Sequence, residues 1–299
     1  MPPDASFLPD PARPVLIAGP TASGKSAFAL GIAEVQGRVI INADALQVHD
    51  TWQVLSARPG PEDLDRAPHL LYGHVPREAA YSVGHWLREV ADLLIPHPTA
   101  IIVGGTGLYL SALTQGLAKI PPIPAHVRAE ADALLRDRGP HALLRDLDPA
   151  TAARIDRQNP ARIQRAWEVL RATGRGLADW HTRNDPPVLP LDQATALLMM
   201  PDRDWLTERI DRRFAAMLRN GALEEARAAL PHWPHAEGDA PLPPWTRAIG
   251  AAELIAHLRG QMSLAEAKAA ATLATRQYAK RQRTWFRNRM KEWQQIAPD

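Results

Sequence analysis

The chain of 299 residues contains no cysteine, which excludes a disulfide framework, a catalytic thiol and a cysteine-ligated metal. It also has no apolar run close to the roughly 20 residues that a membrane span needs. The first residues, MPPDASFLPDPARP, are proline-rich and acidic rather than basic and then apolar, unlike a signal peptide. We therefore predict a cytoplasmic protein without a membrane partner.

The chain also has no large excess of charge of either sign, because its 35 basic and 33 acidic residues leave a net charge of +2. A bulk-basic protein is thereby excluded. Lysine is scarce, and arginine supplies most of the basic residues. Its planar guanidinium suits phosphate binding and stacking on bases. Because the net charge carries little information, the positions of the arginines along the chain decide what they indicate.

Short apolar runs separated by helical patterns indicate an α/β fold with a parallel sheet. We predict strands at Val15–Ala18, 39–41 and 100–103 and helices at 25–35, 64–71 and 86–95. From 120 to 190 only helical spacing is found, after which 194–199 returns to the sheet and the rest is helical. The predicted organisation is a first part of the core at 1–119, a helical insertion at 120–190 and core completion with basic C-terminal helices at 191–299. We expect a loop at 232–244.

The segment GPTASGKS at 19–26 matches the P-loop pattern G-x4-G-K-[ST] and lies between a predicted strand and a predicted helix. Backbone N–H groups of such a loop, together with the helix N-terminus, surround a phosphate. Lys25 would neutralise the distal phosphates and the Ser26 hydroxyl would bind Mg²⁺. The predicted phosphate-binding residues are Gly19, Pro20, Thr21, Ala22, Ser23, Gly24, Lys25 and Ser26.

Two further features follow predicted strands at the same edge of the sheet, where ligands bind in open α/β folds. Asp44 would hold Mg²⁺ or act as a general base, although a helix N-cap is an equal alternative. The glycine-rich turn 104–107 favours a crevice for a bulky ligand, the alternative being tight strand-to-helix packing. Within this turn, the Thr106 hydroxyl would donate to a phosphate or a base edge.

The C-terminal helix carries seven basic residues and no acid between Arg276 and Lys291. Arg276, Lys280, Arg283 and Arg287 form a stripe on one helical face, and Tyr278, Trp285 and Phe286 lie among them. A stripe of one sign indicates a polyanion such as nucleic acid. The alternative is a surface helix whose aromatic residues pack inward.

Together, these features favour group transfer onto a nucleic acid. Two alternatives remain open on the residues alone: a P-loop small-molecule kinase and an RNA-binding P-loop NTPase.

The sequence resembles the tRNA dimethylallyltransferases (isopentenyl-tRNA transferases, the IPP transferase family). The matching strings are GPTASGKS at 19–26, NADALQVH at 42–49, YSVGHW at 81–86, IIVGGTGLYLSAL at 101–113, QNPARIQRAWEVLRATGR at 158–175, RAIGAAEL at 247–254 and TRQYAKRQRTWFR at 275–287. The resemblance implies a P-loop NTPase-like sheet with a helical, tRNA-binding insertion. It also implies a monomeric enzyme that uses Mg²⁺ to transfer the dimethylallyl group of dimethylallyl diphosphate to N6 of adenosine 37, 3′ of the anticodon.

The resemblance further implies roles for individual residues. Asp44 would be the general base, Arg247 would stabilise the diphosphate, and Thr21 and Lys25 would assist catalysis at the donor. The residues implied to contact the tRNA anticodon stem-loop are Asp44, Ala45, Leu46, Gln47, Thr106, Arg128, Gln164, Arg165, Ala166, Trp167, Glu168, Arg276, Lys280, Arg283 and Arg287. Since the base lies in a stacked loop, it would have to be extruded to reach the donor.

Overall fold

The computed structural model describes residues 8–182, 184–234 and 242–297. Most of the predicted 232–244 loop therefore lies outside the described residues. The described chain divides into two compact units. The first contains the residues up to Thr114, those from Val188 to residue 234 and those from Leu242 onward; the second is Gln115–Pro187 apart from residue 183. The sequence analysis had placed the insertion at 120–190.

The first unit is built on a parallel sheet of six strands in the order β3-β2-β4-β1-β5-β6. In chain order the strands are β1 (Val15–Ala18), β2 (Ile40–Asn42), β3 (His69–Leu70), β4 (Ile101–Gly104), β5 (Thr195–Met199) and β6 (Gln294–Ile296). The prediction of an α/β fold with a parallel sheet is confirmed. The four inner strands follow the apolar runs in the sequence, because a strand covered on both faces needs a continuous apolar segment.

The two edge strands contradict the prediction. The segment 64–71 was expected to be one helix, but it contains the end of a short helix and then β3. The end of the chain was expected to be helical, but it forms β6 beside β5. β3 is two residues long and β6 begins with two exposed glutamines. Neither edge strand carries the apolar run that marks a buried strand.

Helices cover both faces of the sheet. Those of the first unit are α1 (Lys25–Gln36), α2 (Pro61–Arg66), α3 (Val83–Leu94), α4 (Gly107–Gln115), α10 (Arg203–Arg219), α11 (Ala222–Ala229), α12 (Ala251–Leu258) and α13 (Leu264–Arg289). Alternate strand residues point to opposite sides: Leu16 and Ile102 pack with residues of α3, α4 and α13, whereas Ile17 and Ile101 pack with α1. A separate core joins α10, α11, α12 and α13.

The second unit is helical, as the sequence predicts for the insertion. Its helices are α5 (Ala125–Arg138), α6 (Pro140–Arg145), α7 (Pro149–Arg154), α8 (Pro160–Thr173) and α9 (Leu177–Trp180). They enclose their own core around Val127, Leu143, Ile163 and Trp167. Among the helices of the described residues, none is both long and apolar enough to cross a membrane.

Candidate active site

The loop 19–26 connects β1 to α1 at the carboxyl edge of the sheet. Ala22 and Gly24 both have left-handed backbone conformations, with φ of 62° and 94°. Gly19 has no room for a side chain, since a β-carbon there would lie 2.7 Å from Ser23 Oγ. The loop thus turns tightly over the start of α1, whose N-terminal N–H groups favour an anion.

Lys25 begins α1 and is buried, and its Nζ donates a hydrogen bond to the Pro20 carbonyl over 3.3 Å. Burial lowers the pKa of Lys25 to about 8, although the nearby Asp44 carboxylate opposes this effect and Arg213 adds to it. The ammonium group is therefore poorly solvated inside the loop. An anion bound there would stabilise its charged form.

Arg213 on α10 brings a second cation to the loop. Its Nη1 donates a hydrogen bond to Thr21 Oγ1 over 3.2 Å, and its pKa is lowered by burial while Asp44 opposes the lowering. From the sequence, Arg247 was predicted to be the cation that stabilises the diphosphate. Arg247 ends the 3-10 turn Pro244–Arg247, and its side chain is exposed. Arg213 lines the cavity beside the loop, whereas Arg247 does not.

The sequence held a signal that could have found Arg213. Arg209, Arg212 and Arg213 are spaced i, i+3 and i+4 on α10, which places them on one helical face. All three line the same cavity as Lys25. The same helical spacing marks the basic stripe predicted on the C-terminal helix.

Asp44 follows β2 in a turn held by several hydrogen bonds. Asn42 accepts from the Asp44 N–H over 2.8 Å and donates to the Asp44 carbonyl over 3.0 Å. One oxygen of Asp44 itself, Oδ1, accepts from the Leu46 N–H over 3.0 Å. The carboxylate is thus oriented by its own backbone and faces the cationic Lys25 and Arg213.

Thr106 supports this turn from the next strand. Its Oγ1 accepts a hydrogen bond from the Ala45 N–H over 2.9 Å, and its N–H donates to the Ala43 carbonyl over 3.2 Å. Thr106 does not line the cavity. Its observed contacts place it beneath the Asp44 turn, where it holds the backbone.

The glycines of the turn 104–107 allow close packing of the chain and do not form a crevice for a bulky ligand, so the prediction of a crevice is wrong. A β-carbon at Gly104 would lie 2.0 Å from the Ala43 carbonyl oxygen, and one at Gly107 would lie 2.2 Å from Trp285 Cζ3. At Gly105 it would lie 2.5 Å from Gln282 Nε2. These glycines allow β2 and α13 to approach the end of β4 closely.

A cavity of about 880 Å³ opens beside the loop. Its lining includes residues 21–26, Asp44 and Gln47, together with the cationic residues Arg66, Arg209, Arg212, Arg213 and Arg219. The apolar part of its wall includes Leu46, Leu55, Ile210, Phe214, Met217 and Ile249. Among the predicted phosphate-binding residues, Gly19 and Pro20 lie outside the lining. The cavity thus offers both cationic and apolar contacts to a bound molecule.

Two family models match this chain. The IPP transferase model covers residues 47–289, and the isopentenyl transferase model covers residues 13–71. The chain belongs to the IPP transferase family. The resemblance deduced from the sequence strings is thereby confirmed.

Curated members of the family are similar over almost the whole chain. A tRNA dimethylallyltransferase from Cereibacter sphaeroides strain ATCC 17025 is 62% identical over 96% of this chain and 96% of its own length. One from Dinoroseobacter shibae is 60% identical over 99% of this chain and 98% of its own. Among solved structures, the tRNA isopentenylpyrophosphate transferase of Bacillus halodurans has a TM-score of 0.65 and 28% identity, covering 96% of this chain and 90% of its own.

The C-terminal helix of this family member only partly matches the predicted basic stripe. Arg276 forms an ion pair with Asp211, and Arg283 donates a hydrogen bond to the Pro201 carbonyl. Lys280 and Arg287 are exposed. Phe286 is fully buried, so the aromatic residues do pack inward. The stripe is therefore interrupted by intramolecular contacts, which the sequence spacing could not reveal.

The predicted tRNA contacts on α8 are also divided by burial. Ala166, Trp167 and Glu168 are buried, and Trp167 belongs to the core of the second unit. Gln164 donates a hydrogen bond to Asp132 over 2.6 Å. Arg165 forms an ion pair with Glu168 over 3.6 Å, and it is the exposed residue among 164–168. Arg128 on α5 is exposed as well.

The cavity contains oxygen ligands that suit the Mg²⁺ implied by the family resemblance. The Ser26 side chain is exposed in the first turn of α1 and lines the cavity, as do Asp44 and Asp63. Within the described residues, no three His, Cys, Asp or Glu side chains form a metal-binding group. This donor set suits a Mg²⁺ ion that keeps several waters and is bound largely through substrate phosphates.

Proposed function

We propose that this chain transfers the dimethylallyl group of dimethylallyl diphosphate to N6 of adenosine 37, 3′ of the anticodon of a tRNA, and releases diphosphate. The observation that carries the proposal is a single cavity lined by several cations, among them Lys25 and Arg213, by the Asp44 carboxylate and by apolar side chains. Relatives about as long as this chain, with identities of 60% and above, are named tRNA dimethylallyltransferases.

The cationic end suits the leaving group. Lys25, Arg213 and the N-terminus of α1 would surround the diphosphate, where negative charge increases as the carbon–oxygen bond breaks. Preorganised cations stabilise such a transition state strongly, because they need not reorient during the reaction. Ser26 would hold Mg²⁺ against the same phosphates, and the ion would supply further positive charge to the leaving group.

Asp44 suits the role of general base. The N6 lone pair attacks C1 of the dimethylallyl group, and the electron pair of the C1–O bond leaves with the diphosphate. The proton of N6 passes to the Asp44 carboxylate, so that charge and atoms balance. The hydrogen bond from the Leu46 N–H orients the Asp44 carboxylate, and the bond that the Asp44 N–H donates to Asn42 holds its backbone.

The apolar wall distinguishes this proposal from the two alternatives. Leu55, Ile210, Phe214 and Met217 would cover the dimethylallyl chain, whose burial is favourable by about 0.8 kcal/mol per methylene-sized group. Relatives of 60% identity and above that are named tRNA dimethylallyltransferases support the same choice. The alternatives are therefore not favoured.

Binding of tRNA is proposed to involve exposed basic residues of both units. Lys280 and Arg287 on α13 and Arg128 and Arg165 of the second unit are exposed, and such residues suit phosphates of the anticodon stem-loop. We propose that the enzyme acts as a monomer. We place it in the cytoplasm, where its tRNA substrate would be met.

A direct assay tests the proposal. Unmodified tRNA, dimethylallyl diphosphate and Mg²⁺ are incubated with the protein, and the tRNA is digested for nucleoside mass spectrometry. We expect an adenosine heavier by one dimethylallyl group, located 3′ of the anticodon. A parallel reaction replaces the donor with ATP. Turnover of ATP without any prenylated adenosine would overturn the proposal in favour of a kinase or NTPase.

A further inference from the structure

The side chain of Gln282 joins two loops that belong to different strands. Its Oε1 accepts a hydrogen bond from the Thr21 N–H over 2.8 Å, and its Nε2 donates to the Gly105 carbonyl over 2.9 Å. The residue lies on α13 and is only 6% exposed. One amide thus connects the loop after β1 with the turn after β4.

These two loops flank the reacting groups. Thr21 accepts a hydrogen bond from Arg213 at its hydroxyl while its N–H is held by Gln282. A β-carbon on Gly105 would lie 2.5 Å from Gln282 Nε2 and 3.2 Å from Asp44 Oδ2. The amide and the Asp44 carboxylate therefore both lie close to the space that a side chain on Gly105 would occupy.

We propose that Gln282 is a positioning residue that holds the leaving-group loop at a fixed separation from the 104–107 turn, whose Thr106 in turn binds the backbone of the Asp44 turn. An amide suits this place because it both donates and accepts, whereas a carboxylate only accepts and an apolar chain does neither. Since Thr21 N–H is already paired, the phosphate must be bound by other groups of the loop. The effect on the rate of prenyl transfer rests on the proposed function, whereas the effect on the structure of the loop does not.

The same contacts connect α13 to the chemistry. Lys280 and Arg287, proposed above to bind tRNA, are exposed on this helix on either side of buried Gln282. The helix approaches closely because Gly105 and Gly107 have no side chains. Displacement of Gln282 would shift the loop relative to Asp44, and a shift of about 1 Å in a reacting group can lower a rate by about 100-fold.

The test compares Gln282→Met with Gln277→Met, a control at an exposed position on the same helix. For Gln282→Met we expect kcat to fall at least about tenfold, with the KM for tRNA within about twofold of the wild type. Hydrogen exchange of the Thr21 amide should be faster in Gln282→Met than in the wild type, both with and without inorganic pyrophosphate. The control should leave both readouts unchanged.

The variant Gln282→Glu separates the two contacts, because it keeps an acceptor for Thr21 N–H but has no donor for Gly105. It should retain slow exchange at Thr21 and still lose kcat, and it replaces Gln282→Met if the latter does not fold. Unchanged kcat in these variants, or a rise in the KM for tRNA that accounts for the loss, would overturn the inference. Wild-type protein without prenyl transfer would instead overturn the proposed function, while the exchange experiment would still decide the role of Gln282.

Discussion

Arg213 Nη1 and Thr21 Oγ1 lie 3.2 Å apart in a hydrogen bond that joins α10 to the loop after β1. The two residues are separated by 192 positions in the chain. This contact holds a guanidinium in the lining of the cavity that also contains Lys25 and Asp44. In the proposed reaction, Arg213 is the cation that would face the leaving group.

Replacement of Arg213 by alanine should lower kcat by about 100-fold, because removal of one preorganised donor to a developing negative charge costs about that much. Steady-state rates of prenyl transfer measure the effect. Arg203→Ala serves as the control, since this residue is exposed at the start of the same helix. Equal rates for the two variants would contradict the role of Arg213.

The substitution Asp44→Asn should lower kcat by about 10²- to 10⁴-fold, the range that general-base catalysis contributes. The amide oxygen can still accept from the Leu46 N–H, so the turn should keep its geometry. Binding of tRNA, followed by fluorescence anisotropy, should therefore change little. If tRNA binding is lost together with activity, Asp44 is structural rather than catalytic.

Binding of inorganic pyrophosphate should become weaker as the pH rises through about 8, the pKa to which burial lowers Lys25. Below this pH the ammonium is charged and attracts the anion; above it the neutral amine does not. Binding near pH 8 should therefore take up a proton, which calorimetry in two buffers of different ionisation enthalpy detects. Lys25→Arg should remove the proton uptake that comes from residue 25, whereas the protonation change of pyrophosphate itself should remain in both proteins.

Glu225 on α11 should stabilise the part of the cavity wall that contains Leu55. Its carboxylate accepts hydrogen bonds from the N–H groups of Gln53, Val54 and Leu55. Glu225→Ala should lower the free energy of unfolding by about 1 kcal/mol, because it leaves partly buried donors without their acceptor, and should raise the KM for dimethylallyl diphosphate. Urea unfolding and kinetics test both effects against Glu224→Ala, an exposed neighbour on the same helix. Equal stability of the two variants would refute the role of Glu225.

Reversal of charge at Lys280 and Arg287 should weaken tRNA binding and reduce its salt dependence by about one unit of slope per lost phosphate contact. The double variant with glutamate at both positions is compared with Lys268→Glu, an exposed lysine near the start of the same helix. Binding isotherms at several salt concentrations give the slopes. A slope equal to that of the control would mean that this end of α13 does not contact RNA.

The sequence by itself determined the features that depend on neighbouring residues. The four inner strands appear as short apolar runs because both of their faces are covered. The loop 19–26 follows from glycines and a lysine at fixed spacing, and the Asp44 turn follows the strand before it. The insertion is helical where apolar residues recur with helical spacing.

Only the tertiary structure decided which distant residues complete the site. Arg213 and Gln282 reach Thr21 from 192 and 261 positions away. Helical spacing can place Arg213 on a basic face of α10, but it does not say which distant loop that face meets. The structure also showed that glycines 104–107 make room for β2 and α13, and that Arg276 and Arg283 are engaged within the chain. Edge strands β3 and β6 likewise form because a neighbouring strand offers unpaired backbone groups, rather than because their own residues favour a strand.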